Sequence, residues 1–130
     1  MRILIVGEPE RPHALAAGLE AAGVEVERSP DGAEAHDDEV GELASALVAF
    51  DRQLSDDPPD ALLLASASNL ALAAVLVAAK LRIPAAAVVE ETPEGHTSEL
   101  NRRLIEQLSD STVGSDPATI VASLRDLIAA

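Results

Sequence analysis

Residues 2–6, 60–65 and 84–89 each hold a short unbroken apolar run, and each is followed by turn residues and a helix-length segment. Such a run is too short for a buried helix. It also lacks the polar alternation of a strand with one wet face, so it reads as a strand covered on both sides. Buried strands separated by helices dictate an α/β architecture, with a parallel sheet between two helical layers. Right-handed crossovers then leave few topologies.

The intervening segments fit that frame. Pro12 opens a helix over residues 12–22 and Gly23 stops it. Residues 24–27 alternate Val24 and Val26 with Glu25 and Glu27, the pattern of a strand near a sheet edge. Residues 29–38 have no apolar period and read as a loop. A helix over 39–54 carries Val40, Leu43, Leu47, Phe50 and Leu54 on one stripe, and Asp56-Asp57-Pro58-Pro59 ends it. Ser68 or Asn69 caps a helix running to Leu81. Further helices are predicted over 97–108, packed through Leu100, Leu104, Ile105 and Leu108, and over 117–128, with Ile120, Leu124, Leu127 and Ile128 inward. Asp116 before Pro117 is an N-cap signal. A short strand over 111–114 lies between them. Five strands alternate with five helices in one domain spanning residues 1–130.

Composition narrows the function classes. There is no cysteine, which removes disulfides, thiol catalysis and thiolate metal sites. The formal charge of −14 repels phosphate backbones and anionic lipid surfaces, so no nucleic-acid or membrane partner is expected. No secretory signal or membrane span is legible, and a cytoplasmic protein is expected. Gly7 has no second glycine at dinucleotide spacing, and neither a Walker motif nor a nucleophile elbow is present. Neither a cofactor nor a metal is expected. His36-Asp37-Asp38-Glu39 holds metal-friendly side chains, but adjacent residues rarely converge on one ion, and a solvated loop with a helix cap accounts for them.

Ligands of parallel α/β sheets bind beyond the carboxyl ends of the strands, which directs attention to three turns. Glu90 and Glu91 end one strand and Glu99 follows on the next helix. A pair such as Glu90 and Glu99 can divide acid and base roles if their environments separate their pKa values. The same groups also suit a wet strand end and a helix first turn. Ser66, Ser68 and Asn69 can present hydroxyls and N–H groups to an anion, although capping is the commoner use of these residue types. Arg11 and His13 fall in the first strand-to-helix loop, on the same side of the sheet. The helix segment 70–79 is apolar nearly all round, so it is either buried between neighbours or faces a partner.

The order of these pieces resembles the N-terminal domain of the non-hydrolysing UDP-N-acetylglucosamine 2-epimerases, built from two Rossmann-like halves in the GT-B arrangement. Pro59-Asp60 and its strand, Arg82-Ile83-Pro84, Val89-Glu90 and Ser98-Glu99-Leu100-Asn101-Arg102 carry the likeness. It implies a UDP-sugar ligand, catalytic roles for Glu90 and Glu99, and substrate contacts from Arg11, His13, Ser66, Ser68, Asn69 and Arg102. It also implies a homodimer formed through helices of this domain. An apparent deletion between residues 28 and 39 changes the family's strand order to 2-1-3-4-5, a flavodoxin-like arrangement.

The departures are chemical. The family's Gly-Asp-Thr-Thr-Thr turn is Ala65-Ser66-Ala67-Ser68-Asn69, without an acid, and Ser98 replaces the first of two glutamates. The family's second half, which supplies most uridine diphosphate contacts, does not follow residue 130. The expectation is therefore an epimerase-like half domain that is inactive alone. It would work with a separately encoded C-terminal half or as an assembly or regulatory domain. A small flavodoxin-like binding module unrelated to sugar nucleotides is the alternative.

Overall fold

The computed structural model of the protein describes residues 1–7, 14–29, 38–88 and 95–130. Five strands form one parallel sheet in the order β2-β1-β3-β4-β5, as the sequence predicts. They are β1 (Arg2–Val6), β2 (Glu25–Ser29), β3 (Ala61–Leu64), β4 (Ala85–Val88) and β5 (Ser111–Val113). The helices are α1 (Ala14–Ala21), α2 (Glu39–Asp56), α3 (Asn69–Leu81), α4 (Gly95–Leu108) and α5 (Pro117–Ala129).

The continuous apolar runs are explained by two cores on opposite faces. Because side chains alternate along a strand, Leu4, Val6, Leu62, Leu64, Ala85 and Ala87 point into a core shared with α2, α3 and α4. Their neighbours Ile3, Ile5, Ala61, Leu63 and Ala86 point into the other, against α1 and α5. Each central strand is thus buried on both faces, and a polar residue at any of these positions would lose its water on either side.

Helix ends follow local chemistry. Asp38 caps α2 by accepting from the Gly41 N–H, Ser68 caps α3 by accepting from the Ala71 N–H, and Asp116 caps α5 through Thr119. Gly23 has φ +87° after α1, a conformation that costs glycine little. Val24, placed in the second strand by its alternation, instead closes this helix end. Its N–H bonds the Leu19 carbonyl and its side chain is buried. β2 consequently starts one residue later. It also extends to Ser29 within the predicted loop, where Ser29 accepts from the Gly7 N–H at 2.9 Å.

Three helices depart from the apolar pattern at particular positions. Val40 is 76% exposed. The buried stripe of α2 holds Ala46, Phe50 and Leu54, and stepping it back by seven from Ala46 reaches Glu39 rather than Val40. On α4 the buried residues are Asn101 and Ile105, so Leu100 and Leu104, one position away, lie 48% and 40% exposed. At the end of α5, Ile128 is 38% exposed rather than inward. The all-round apolar α3 is buried along most of its length between α2 and α4.

Gly18 marks the close approach of α1 to α5. A Cβ built there would lie 2.6 Å from Cγ of Pro117, whose ring cannot swing aside. Gly-to-Ala in a helix normally gains about 1 kcal/mol. Here Gly18→Ala is expected to destabilise by about 1–3 kcal/mol, as overpacking does. Urea unfolding measures this, and Gly18→Ala in a Pro117→Ala background should recover most of the loss.

At the opposite edge of the sheet from the strands' carboxyl ends, Arg2 clamps three segments. Its guanidinium donates bidentately to Asp57 at 2.9 and 3.0 Å, to Glu27 at 2.9 Å and to the Pro58 carbonyl at 2.6 Å. The Arg2 hydrogen bond, and then its charge, hold the Asp57 carboxyl below its ordinary value, against a small opposing effect of desolvation. A carboxyl depressed in the folded state contributes stability fully above its unfolded pKa of about 3.9, and that contribution fades as pH falls through the folded value. The gap in melting temperature between the native protein and Asp57→Asn should therefore hold steady near neutrality and close as pH drops below about 4. The comparison is made as a difference because acid also relieves repulsion from the −14 charge in both proteins. A gap independent of pH would contradict the assignment.

Candidate functional site

The carboxyl edge of the sheet is organised by the turn between β3 and α3. The Ala65 N–H bonds the Val6 carbonyl at 2.8 Å, which ties the turn to the end of β1. Ser68 then caps α3, and its Oγ accepts both the Ala71 N–H at 3.1 Å and the Ser66 hydroxyl at 3.0 Å. The two serines are thus bonded to each other and to the helix start.

Behind the turn lies a buried amide pair. Asn101 of α4, 3% exposed, donates through Nδ2 to the Ala67 carbonyl at 3.2 Å and to Oδ1 of Asn69 at 3.0 Å. Asn69 in turn donates to the carboxylate of Glu39 in the first turn of α2. This chain of bonds ties the first turns of α2 and α3 to the middle of α4. Each amide keeps unused capacity, since an Asn carries two N–H donors and two acceptor lone pairs.

Arg102 follows Asn101 and lines a narrow cleft with Leu64, Ser66, Ala67, Val88, Ile105 and Glu106. Its Nε is buried and has no partner among the described residues. Its Nη1 lies 3.5 Å from Glu106. The cleft has a volume of about 10 Å³, at the threshold for a single water. As lined by the described residues, it holds no sugar.

Of the residues assigned to a site from sequence, Ser66, Ser68, Asn69 and Arg102 gather at this edge. Glu99 lies on α4 but bonds Arg103 at 2.7 Å in an exposed i, i+4 pair. Arg11, His13 and Glu90 lie outside the described residues, as do Glu91, His36 and Asp37. Asn101 and Glu39 were not singled out as site residues. The available signal was an Asn in register with Ile105 and Leu108 on the inner face of a helix, because a buried amide demands a partner.

The gathered groups are hydroxyls, amides, one guanidinium and partly or fully exposed carboxylates. The hydroxyls, amide N–H groups and guanidinium can donate hydrogen bonds to an anionic ligand, whereas the carboxylates only accept. Among the described residues no three His, Asp or Glu side chains come together as for a metal ion, and no helix is long and apolar enough to cross a membrane.

No family model matches the sequence, and no curated protein matches it. Solved structures do match the fold. UDP-GlcNAc 2-epimerase from Methanocaldococcus jannaschii superposes with a TM-score of 0.67 at 20% identity, over 88% of this chain and 39% of the enzyme. The enzyme from Neisseria meningitidis bound to UDP-GlcNAc gives 0.65 at 18% identity, over 95% of this chain and 43% of its own. A conserved protein from Enterococcus faecalis V583 gives 0.56 at 12% identity, over 97% of this chain and 98% of that one. The chain therefore shares its fold with a portion of the UDP-GlcNAc 2-epimerases, and spans about two fifths of the length of those enzymes.

Proposed function

We propose that the chain is a UDP-GlcNAc 2-epimerase-like half domain of the cytoplasm, inactive by itself, which acts with a partner half or as an assembly domain. The observation that carries this is the combination of an epimerase-like fold over only two fifths of those enzymes with a β3–α3 turn that contains no acid. Epimerisation at sugar C2 must remove and return a proton and manage departure of the nucleotide. That calls for a closed cleft with separated acid and base roles. Glu90 and Glu99 are the carboxylates proposed for these roles in the assembled enzyme. Arg11, His13, Ser66, Ser68, Asn69 and Arg102 are proposed to contact the UDP-sugar, and the unpartnered Arg102 Nε supports a place for an anion.

The purified chain incubated with UDP-GlcNAc is expected to give no UDP-N-acetylmannosamine above a protein-free control. Interconversion by the chain alone would refute the proposal. Residual UDP-sugar binding, read by calorimetry, should fall about tenfold in Arg102→Ala, the cost of a charge-assisted hydrogen bond.

A homodimer is part of the same proposal. Val40 and Val48 on α2 and Leu100 and Leu104 on α4 are large apolar side chains left exposed on one helical layer, which supports self-association. Sedimentation velocity decides it.

A second reading, an independent flavodoxin-like binding module, is favoured by the match to nearly the whole Enterococcus faecalis protein. A thermal-shift screen with UDP, UDP-sugars and flavins separates the two, since a tightly bound ligand raises the melting temperature by mass action.

A further inference from the structure

We infer that the chain has a second binding site, for a small apolar zwitterion of the α-amino-acid class, at the edge of the sheet opposite the epimerase-like site. A cavity of about 370 Å³ opens there, between the C-terminal ends of α3, α4 and α5 and the start of β4. That is within the ~300–1,000 Å³ range of small-molecule pockets. The proposed UDP-sugar contacts among the described residues, Ser66, Ser68, Asn69 and Arg102, are at the other end of the strands, so this site is separate from them.

Its lining side chains are apolar apart from one charge of each sign. Ile83, Pro84, Leu108 and Leu127 supply the apolar walls, and Arg82 and Asp110 supply the charges. Asp110 is fixed by exchanging two hydrogen bonds with Ala85. Its Oδ2 accepts the Ala85 N–H at 2.9 Å and its own N–H bonds the Ala85 carbonyl at 2.8 Å. This leaves Oδ1 without a partner among the described residues. The guanidinium of Arg82 is also unpartnered there, and the two side chains form no ion pair with each other. A guanidinium and a carboxylate lining one cavity yet unpaired are complementary to a ligand carrying both charges.

The backbone supports the same orientation. Three helix C-termini converge on the cavity, and their carbonyl ends favour a cation such as an ammonium group. Arg82 is the only non-glycine residue with positive φ among the described residues, at +60°. It occupies the C-cap of α3, where glycine is the favoured residue. The position thus keeps a guanidinium at some backbone cost. In the inferred complex the ligand carboxylate meets Arg82, its ammonium meets Asp110 Oδ1 and the helix carbonyls, and its side chain rests on Ile83, Leu108 and Leu127.

The test is an NMR titration of the full chain with L-leucine, L-leucinamide and 4-methylpentanoate, following the amides of Arg82, Ile83, Ala85, Leu108 and Leu127. L-leucine should give saturable shifts confined to these amides. The analogues lack the carboxylate and the ammonium respectively, and each should bind about tenfold more weakly, as losing a charge-assisted hydrogen bond requires. Arg82→Asn, which tolerates the left-handed backbone, should abolish the preference for L-leucine over its amide. Asp110→Asn, which keeps an acceptor for Ala85, should abolish the preference over the deaminated acid. Three results would each overturn the inference: no saturable shift, equal affinity for all three probes, or preferences that both variants retain. The probe series on the unmodified protein decides the matter even if a variant fails to fold.

Discussion

Replacing Phe50 with alanine is expected to destabilise the protein by about 3–5 kcal/mol, the largest loss any single truncation in the α2–α3 core should cause. Phe50 is the only aromatic residue in the chain and is 3% exposed on the inner face of α2. Its surroundings make the loss hard to recover. The same core is built largely from Ala46, Ala71, Ala73, Ala74 and Ala78, with Leu4, Leu62 and Leu64 behind them. Alanines have no rotamer with which to reach into a void, so the space left by the ring stays open and its lining loses contacts outright. Against a typical total stability of about 5–15 kcal/mol this is a large fraction. For a chain of this length it corresponds to a drop of roughly 10–20 °C in melting temperature. Val48→Ala, on the same helix but 55% exposed, should change stability by no more than about 0.5 kcal/mol. Urea unfolding of the two variants measures the contrast. A loss below about 1 kcal/mol for Phe50→Ala would mean that α2 packs on α3 less tightly than its burial indicates.

Phe50 also shows why parts of the fold were legible and others were not. The central strands could be read directly because burial on both faces leaves an unbroken apolar run, and Ile3 to Val6 and Ala61 to Leu64 have no other use. Caps were equally plain, since Ser68 and Asp116 act within three residues of themselves. On α2 Leu43, Leu47, Phe50 and Leu54 pack inward as the apolar stripe predicts while Val40 does not, and on α4 Ile105 and Leu108 pack inward while Leu100 and Leu104 do not. On α4 a polar side chain, Asn101, occupies an inward place and is stabilised by a partner rather than by apolar contact, whereas the exposed Glu39 on α2 serves as the acceptor at the end of that chain of bonds. A count of apolar residues on α4 moves its stripe toward Leu100 and Leu104. The partners themselves are distant in sequence. Asn69 and Asn101 are 32 residues apart, and Arg2 reaches Asp57 across 55. Spacing within one helix carries no trace of them. At the candidate site the turn could be located from the end of β3, but its closure by an amide from α4 required the packing of α3 against α4.

That closure gives the second large effect. Asn101→Leu is expected to cost about 2–3 kcal/mol, because it leaves the buried Asn69 amide oxygen and the partly buried Ala67 carbonyl without their donor. The double variant Asn69→Leu/Asn101→Leu should lose clearly less than the sum of the two single changes. Replacing both members of a buried pair removes the orphaned group as well as the bond, so the cycle should show a coupling of about 1–3 kcal/mol. Additive losses would mean that the pair contributes nothing beyond its separate contacts. The same cycle tests what the pair is for. Asn69 is proposed to contact a UDP-sugar, and Arg102 is the neighbour of Asn101. If the amides serve only to fix α2, α3 and α4 around the turn, losses of UDP affinity should show the same coupling as losses of stability, the double variant losing clearly less than the sum. If Asn69 meets the ligand through its unused donor and acceptor capacity, both variants that lack Asn69 should lose more affinity than their loss of stability accounts for, and Asn101→Leu alone should not. The proposal made here requires the second outcome, because a turn without an acid can still hold a nucleotide sugar only through neutral donors and the guanidinium beside them.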